Sequence, residues 1–231
     1  MNAFATVCTA GYEEYLKTML WSMSKYSEIS FTKFIVFYSE KQRMPDLKDI
    51  NKIWPEIYFQ KIDFDRYNEL GKWEAQYWSH EAFGLRGYDK VAFLDCDLLN
   101  MPGKSLRGIF ENNYNLAMAK EMRRDCFNAG MIIISNKYLT DEMYERVLNH
   151  KKNPDIFGRD QSVYNDLFKN EIEKVDIEWN NLITETEFCG NPRLMHYICK
   201  PMYEESKQRM PHDIFNLWHK EHQEAITWLS R

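Results

Sequence analysis

The stretch Val91-Ala92-Phe93-Leu94-Asp95-Cys96-Asp97-Leu98-Leu99-Asn100 decides how this chain is read. Val91 to Leu94 form an apolar run with the length and character of a buried strand. Two aspartates follow at its end, separated only by Cys96. In extended backbone, residues i and i+2 project to the same side. Two carboxylates held side by side repel unless a positive charge lies between them. A divalent cation removes the conflict, because hard cations take oxygen ligands. The competing reading is a turn whose acids face water. D-x-D alone does not separate the two, and the buried strand ahead of it favours a site.

Upstream, Ala3 to Cys8 reads as a first strand. Tyr15, Leu16, Met19, Leu20 and Met23 then fall on one helical face. That methionine stripe is read as core packing rather than a cofactor surface. Phe34 to Tyr38 is a second strand, Leu47 to Ile53 a weak helix and Ile57 to Ile62 a third strand. Lys72 to Leu85 is aromatic-rich and helical. Downstream, Leu116 to Ala119 and Met131 to Ser135 read as strands, and Tyr138 to Leu148 and Asp160 to Phe168 as helices. Ile172 to Ile177 and Leu194 to Cys199 read as short strands. Strands alternating with helices predict an α/β domain with a mainly parallel central sheet. Ligands of such sheets bind at the carboxyl ends of the strands, where Asp95 and Asp97 lie.

Composition narrows the function. The chain has 231 residues, 44% hydrophobic and 15% aromatic, which supplies a substantial core and argues against disorder. The net charge is −5 and its 30 basic residues are scattered, so a nucleic-acid partner is not indicated. The five cysteines, Cys8, Cys96, Cys126, Cys189 and Cys199, include no C-x-x-C pair. Reduced thiols in the cytoplasm fit better than a disulfide framework or structural zinc. No secretory signal and no membrane-spanning run is read. The amphipathic stretch near the C-terminus suits either a membrane or partner surface, or docking on the domain. We read 1–231 as one domain and 205–231 as a helical extension docked on it.

Three further segments carry polar groups in patterned positions. In DCFNAGMIIIS, Asp125 and Asn128 offer hydrogen-bonding groups suited to sugar hydroxyls, and Ala129 and Gly130 permit close approach to the backbone. In GRDQSVYND, Asp160 stands where a helix-capping residue belongs, while capping leaves Gln161 unexplained. In MHYICKPM, His196 and Lys200 suit a metal ligand and a phosphate contact.

Taken in order, these segments resemble glycosyltransferase family 8, the family of glycogenin and the bacterial lipopolysaccharide galactosyl- and glucosyltransferases. The family pattern is a D-x-D strand end, a segment close to D-x-F-N-[AS]-G, then D-Q, then H-x-x-G-x-x-K-P-W. Here they are Asp95-Cys96-Asp97, Asp125 through Gly130, Asp160-Gln161, and His196 with Lys200-Pro201. The opening VCTAGYEEY resembles the family's first strand and uracil-binding loop, with Thr9 and Tyr12 as contacts. The last motif is shortened, with no glycine between His196 and Lys200 and Met202 in place of Trp. Many members carry a basic residue on the helix before the D-x-D strand; Ser79 or His80 falls near that place here, with Arg86 as a candidate substitute.

The resemblance implies a GT-A fold, a single Rossmann-like α/β domain. It also implies a UDP-sugar donor, a carbohydrate or glycoconjugate acceptor, and retention of anomeric configuration. A divalent metal, Mn²⁺ or Mg²⁺, would be held by Asp95, Asp97 and His196. Mixed oxygen and imidazole ligation favours Mn²⁺. Lys200 would meet the pyrophosphate, and Cys96, Asn128 and Ala129 would line the donor site. Asp125, Asp160 and Gln161 would face the transferred sugar. Two other classes are weighed. A haloacid-dehalogenase-type phosphatase places Thr or Val where Leu99 stands, and a nucleotidyltransferase opens with a glycine-rich loop that Cys8-Thr9-Ala10-Gly11 is not. A non-catalytic UDP-sugar-binding module is a third possibility, opposed by the presence of all three metal-ligand candidates.

Overall fold

The computed structural model describes residues 1–39, 45–121, 124–150, 159–183, 190–198, 201–202, 208 and 210–231. Its largest feature is a seven-stranded sheet. In chain order the strands are β1 (Asn2–Val7), β2 (Lys33–Tyr38), β3 (Ile57–Lys61), β4 (Lys90–Leu94), β6 (Leu116–Lys120), β7 (Phe127–Ser135) and β8 (Glu173–Val175). They lie side by side as β3-β2-β1-β4-β7-β6-β8. β1 pairs in parallel with β2 and β4, β2 with β3, and β6 with β8. β7 alone runs against both neighbours. The sheet is therefore mainly parallel, with one reversed strand inside it.

The apolar runs seen in the sequence follow from burial on both faces. Phe4, Phe34, Val36, Ala92 and Leu94 point into one core, shared with helix α1 (Glu13–Tyr26). Ala3, Ala5, Ile35, Phe37, Val91 and Phe93 point into the other. That second core is covered by α3 (Asp141–Asn149), by α4 (Arg159–Leu167) and by the segment Asn68–Gly84. Asn68–Gly84 winds as a 3₁₀ helix, tighter than the helix expected over Lys72 to Leu85. Tyr77, Trp78, Ser79, His80, Ala82 and Phe83 are all buried, so packing on all sides replaces the single apolar stripe of an α-helix.

The C-terminal helix α5 (His212–Leu229) packs along α1. Trp218 meets Tyr15 at 5.5 Å between ring centroids, and Trp228 meets Trp21 at 5.6 Å. Glu221, fully buried, accepts hydrogen bonds from Lys25 Nζ (2.8 Å) and the Tyr26 hydroxyl (2.9 Å). No helix among the described residues is long and apolar enough to cross a membrane. Cys8, Cys96 and Cys126 are free thiols.

A second sheet joins β5 (Leu98–Asn100), β9 (Asn181–Leu182) and β10 (Leu194–His196); β10 lies within the strand expected over Leu194 to Cys199, while β5 and β9 have no counterpart in the sequence reading. Its central strand β10 runs antiparallel to β5, opposing His196 to Leu98. The remaining helix, α2 (Gly108–Glu111), is a single turn before β6.

Candidate active site

The topology brings three separate segments to one edge. β1 and β4 are parallel, so the loop after Val7 and the residues after Leu94 emerge together. β7 is antiparallel to β4, so its beginning lies at that edge as well. Register slips between β6 and β7 after Met118: Met118 faces Ile132, while Ala119 faces Asn128. Residues 129–131 are the excess of this bulge and lean toward β4, where Gly130 O accepts from Asp95 N at 2.8 Å. Bulges of this kind re-aim side chains beside functional sites.

Asp95 and Asp97 do not lie on extended backbone as the sequence reading supposed. Leu98 N donates to Asp95 O at 3.2 Å, closing a turn between β4 and β5. The chain reverses here because it leaves the large sheet and enters the small one. Within that turn the Cys96 side chain is buried in the apolar core, and burial pushes its thiol well above the usual range. The carboxylates still converge, and pairing of β5 with β10 carries His196 to them. His196 Nε2 lies 3.1 Å from Asp97 Oδ1 and 3.6 Å from Asp95 Oδ2. One donor atom from each of the three residues falls within 4.8 Å of the other two.

Asp95 and His196 perturb each other's protonation. Burial pushes the Asp95 carboxyl well above the usual carboxylate range; His196 opposes this, while Asp97 and Asp160 add to it. Burial alone would lower the His196 imidazole, yet Asp97 and then Asp95 raise it overall. Two oxygens and one imidazole nitrogen converging in this way fit a divalent ion.

Hydrogen-bond polarity fixes the imidazole. A backbone N–H only donates, and Gly130 N donates to Asn128 Oδ1 at 2.8 Å. Asn128 Oδ1 also accepts from Asn180 Nδ2 at 2.7 Å. Asn180 therefore turns its Oδ1 to His196 Nδ1, at 3.0 Å, and that nitrogen carries the proton. His196 Nε2 is left facing the two carboxylates. The same logic orients Gln161, whose Oε1 accepts from Ala129 N (3.3 Å) and Asn128 Nδ2 (3.2 Å). Its Nε2 donates to Glu121 Oε1 at 2.9 Å. One turn later on α4, the Asn165 side chain pairs with both backbone groups of Phe127 and clamps the helix to β7.

A cavity of about 230 Å³ opens beside the cluster. Asp95, Asn128, Ala129, Gly130, Asp160, Gln161 and Ser79 line it, together with Val7 and Phe93. Asp160 accepts from Ser79 Oγ at 2.7 Å and from Gln161 N at 2.8 Å. Burial pushes its carboxyl up to about 6, against those two hydrogen bonds. Ser79 thus stands in the cavity wall with its hydroxyl on Asp160. His80 is packed between Tyr77 and Tyr164, and burial lowers its imidazole to about 3. Arg86 turns away to Asp141.

Not every residue singled out in the sequence joins the site. Asp125 is 95% exposed, paired with Lys120, and absent from the cavity wall. It stands on the turn between β6 and β7, where its carboxylate reaches solvent. Thr9 and Tyr12 lie on the loop from β1 to α1, joined by a Tyr12 N to Thr9 O bond of 3.0 Å, and do not line this cavity. Gly11 holds a φ of +91° in that loop, a conformation natural to glycine. Lys200 lies outside the described residues. Asn180 and Glu121 were missed, and nothing in their local sequence marks them.

The family model for glycosyl transferase family 8 matches residues 4–202. No curated protein sequence matches the chain. Among solved structures, the fold is similar to the glycosyltransferase GlyE of Streptococcus pneumoniae TIGR4, at 17% identity and a TM-score of 0.71. That match covers 99% of this chain and 62% of GlyE. The bifunctional glycosyltransferase WbbM matches at 14% identity and a TM-score of 0.73, over 95% of this chain and 49% of its own. The galactosyltransferase LgtC, solved with donor and acceptor sugar analogues, matches at 16% identity and a TM-score of 0.70, over 94% of both chains. The chain thus spans less than two thirds of GlyE and WbbM, and nearly all of LgtC. These likenesses give the fold as GT-A, and with the family match over most of its length the chain belongs to glycosyltransferase family 8.

Proposed function

We propose that this chain is a retaining hexosyltransferase. It would use a UDP-sugar, glucose or galactose being the natural candidates, a divalent cation and a carbohydrate or glycoconjugate acceptor. The observation that carries the proposal is that the Asp95–Asp97–His196 cluster shares Asp95 with the cavity lined by Asn128, Asp160 and Gln161.

In this reading Asp95, Asp97 and His196 would hold a divalent cation, which would supply positive charge for the diphosphate. Transfer breaks the bond between the anomeric carbon and the β-phosphate oxygen, and its electron pair leaves with UDP. The acceptor oxygen bonds the anomeric carbon on the same face and gives its proton to the departing diphosphate. Asn128 and the Ala129 backbone hold sugar hydroxyls. Asp160 sits on the far side, where a carboxylate stabilises the developing oxocarbenium charge. Ser79 and the Gln161 N–H keep that carboxylate aimed into the cavity. Thr9 and Tyr12 receive the uracil, the Cys96 backbone lies along the donor, and Lys200 meets the pyrophosphate. A cytoplasmic location and residues 205–231 as a docked extension belong to the same reading.

UDP affinity measured by calorimetry with Mn²⁺ and with EDTA tests the reading. Tight binding that requires Mn²⁺ supports it, and metal-independent or absent binding contradicts it.

A further inference from the structure

Asn180 carries no role in the reading above, yet it links the two halves of the site. Its side chain is buried, with 1% exposure. It follows the 3₁₀ turn Ile177–Trp179 and precedes β9, so the small sheet fixes its backbone. Its two amide atoms point in opposite directions chemically. Nδ2 donates to Asn128 Oδ1 (2.7 Å) in the cavity wall, and Oδ1 accepts from His196 Nδ1 (3.0 Å) in the cation cluster.

The amide cannot be reversed without loss. Flipping it would set Nδ2 against the protonated Nδ1 of His196 and Oδ1 against Asn128 Oδ1. The Gly130 N–H holds Asn128 Oδ1 in place. The chain of donors therefore starts at a backbone amide and ends at the imidazole, with a single allowed direction. Metal-binding histidines are oriented by the partner of their second nitrogen, and loss of that partner weakens metal affinity.

We propose that Asn180 is the positioning residue for His196, holding its Nε2 on the side of Asp95 and Asp97, and that it separately anchors Asn128 in the sugar-facing wall. This rests on the cation reading of the cluster given above. The two halves of the amide have separable duties. Asn180→Asp keeps an acceptor for the His196 Nδ1–H but loses the donor to Asn128. Asn180→Ala loses both.

The experiment is Mn²⁺ affinity, measured by calorimetry on the full chain without nucleotide, alongside UDP release from a UDP-sugar. Asn180→Ala should weaken Mn²⁺ binding by about 10- to 100-fold. Asn180→Asp should bind Mn²⁺ within about threefold of wild type, by the same acceptor logic, while UDP release falls. Should Asn180→Ala fail to fold, Asn180→Asp alone decides: a tenfold or larger loss of Mn²⁺ affinity overturns the proposal. Unchanged Mn²⁺ affinity in a folded Asn180→Ala also overturns it, leaving the cation reading intact. No Mn²⁺ binding by the wild-type chain would overturn both.

Discussion

The imidazole of His196 stands where a side chain on residue 130 would be. A Cβ built on Gly130 would lie 2.3 Å from His196 Cε1 and 2.5 Å from Nδ1. Gly130 needs no unusual backbone angle, so the requirement is space alone. The glycine of the FNAGM segment is thus read as room for a residue 66 positions later in the chain.

Gly130→Ala follows directly. Strand β7 should still form, because alanine is compatible with extended backbone. The methyl group must displace the imidazole, so Mn²⁺ affinity should fall by at least about tenfold. Calorimetry at equal stability checks this; wild-type affinity would show that His196 is not needed for the ion.

Asp97→Asn removes a charge from the cluster without changing its volume. Its backbone carbonyl still accepts from Tyr197 N, so the fold should persist. Turnover should fall by roughly 100-fold or more, as when a preorganised electrostatic group is lost. Donor hydrolysis at wild-type rates in this variant would sink the assignment of Asp97 as a cation ligand.

Gln161→Ala should slow transfer by about 10- to 100-fold through loss of positioning at the cavity wall. UDP binding should change little, since Gln161 sits among Ala129, Asn128 and Glu121 rather than at the cation cluster. The lost hydrogen bonds should also destabilise the chain by about 1–3 kcal/mol. A fall in UDP affinity with unchanged turnover would place Gln161 on the nucleotide instead.

Asp160 links stability to pH. Its carboxyl is raised from 3.8 to about 6 by burial, so the native state holds the proton more tightly than the unfolded chain. The associated stability is present at low pH and is lost as pH rises through about 6. Asp160→Asn carries no charge to bury. It should be more stable than wild type at pH 8, by on the order of 1–3 kcal/mol, with the gap closing below pH 4. It should also be inactive. Melting curves at both ends of that range test the sign, and a variant less stable at pH 8 than at pH 4, relative to wild type, would refute it.

The large sheet was legible because β1, β2, β4 and β7 are buried on both faces and read as continuous apolar runs. The reversed direction of β7 was not, since strand direction leaves no mark in a local pattern. Of the small sheet only β10 was expected; β5 and β9, with three and two residues, are too short to show a period. That sheet is nevertheless what delivers His196 to the D-x-D turn. Asp95, Asp97, Asn128, Asp160 and Gln161 could be singled out by their placement at element ends. Asn180 and Glu121 could not, because their importance lies in contacts with residues distant in the chain, Asn128 being 52 positions away from Asn180. Asp125 is the reverse case, a polar residue in a suggestive motif whose side chain the structure leaves exposed and paired with Lys120.

The most direct measurement is UDP release from a panel of UDP-sugars without acceptor, in EDTA and with Mn²⁺ restored. The account predicts release with Mn²⁺, from one hexose donor above the others, and none in EDTA. Release that persists in EDTA, or no release together with no Mn²⁺-dependent UDP binding, would contradict it.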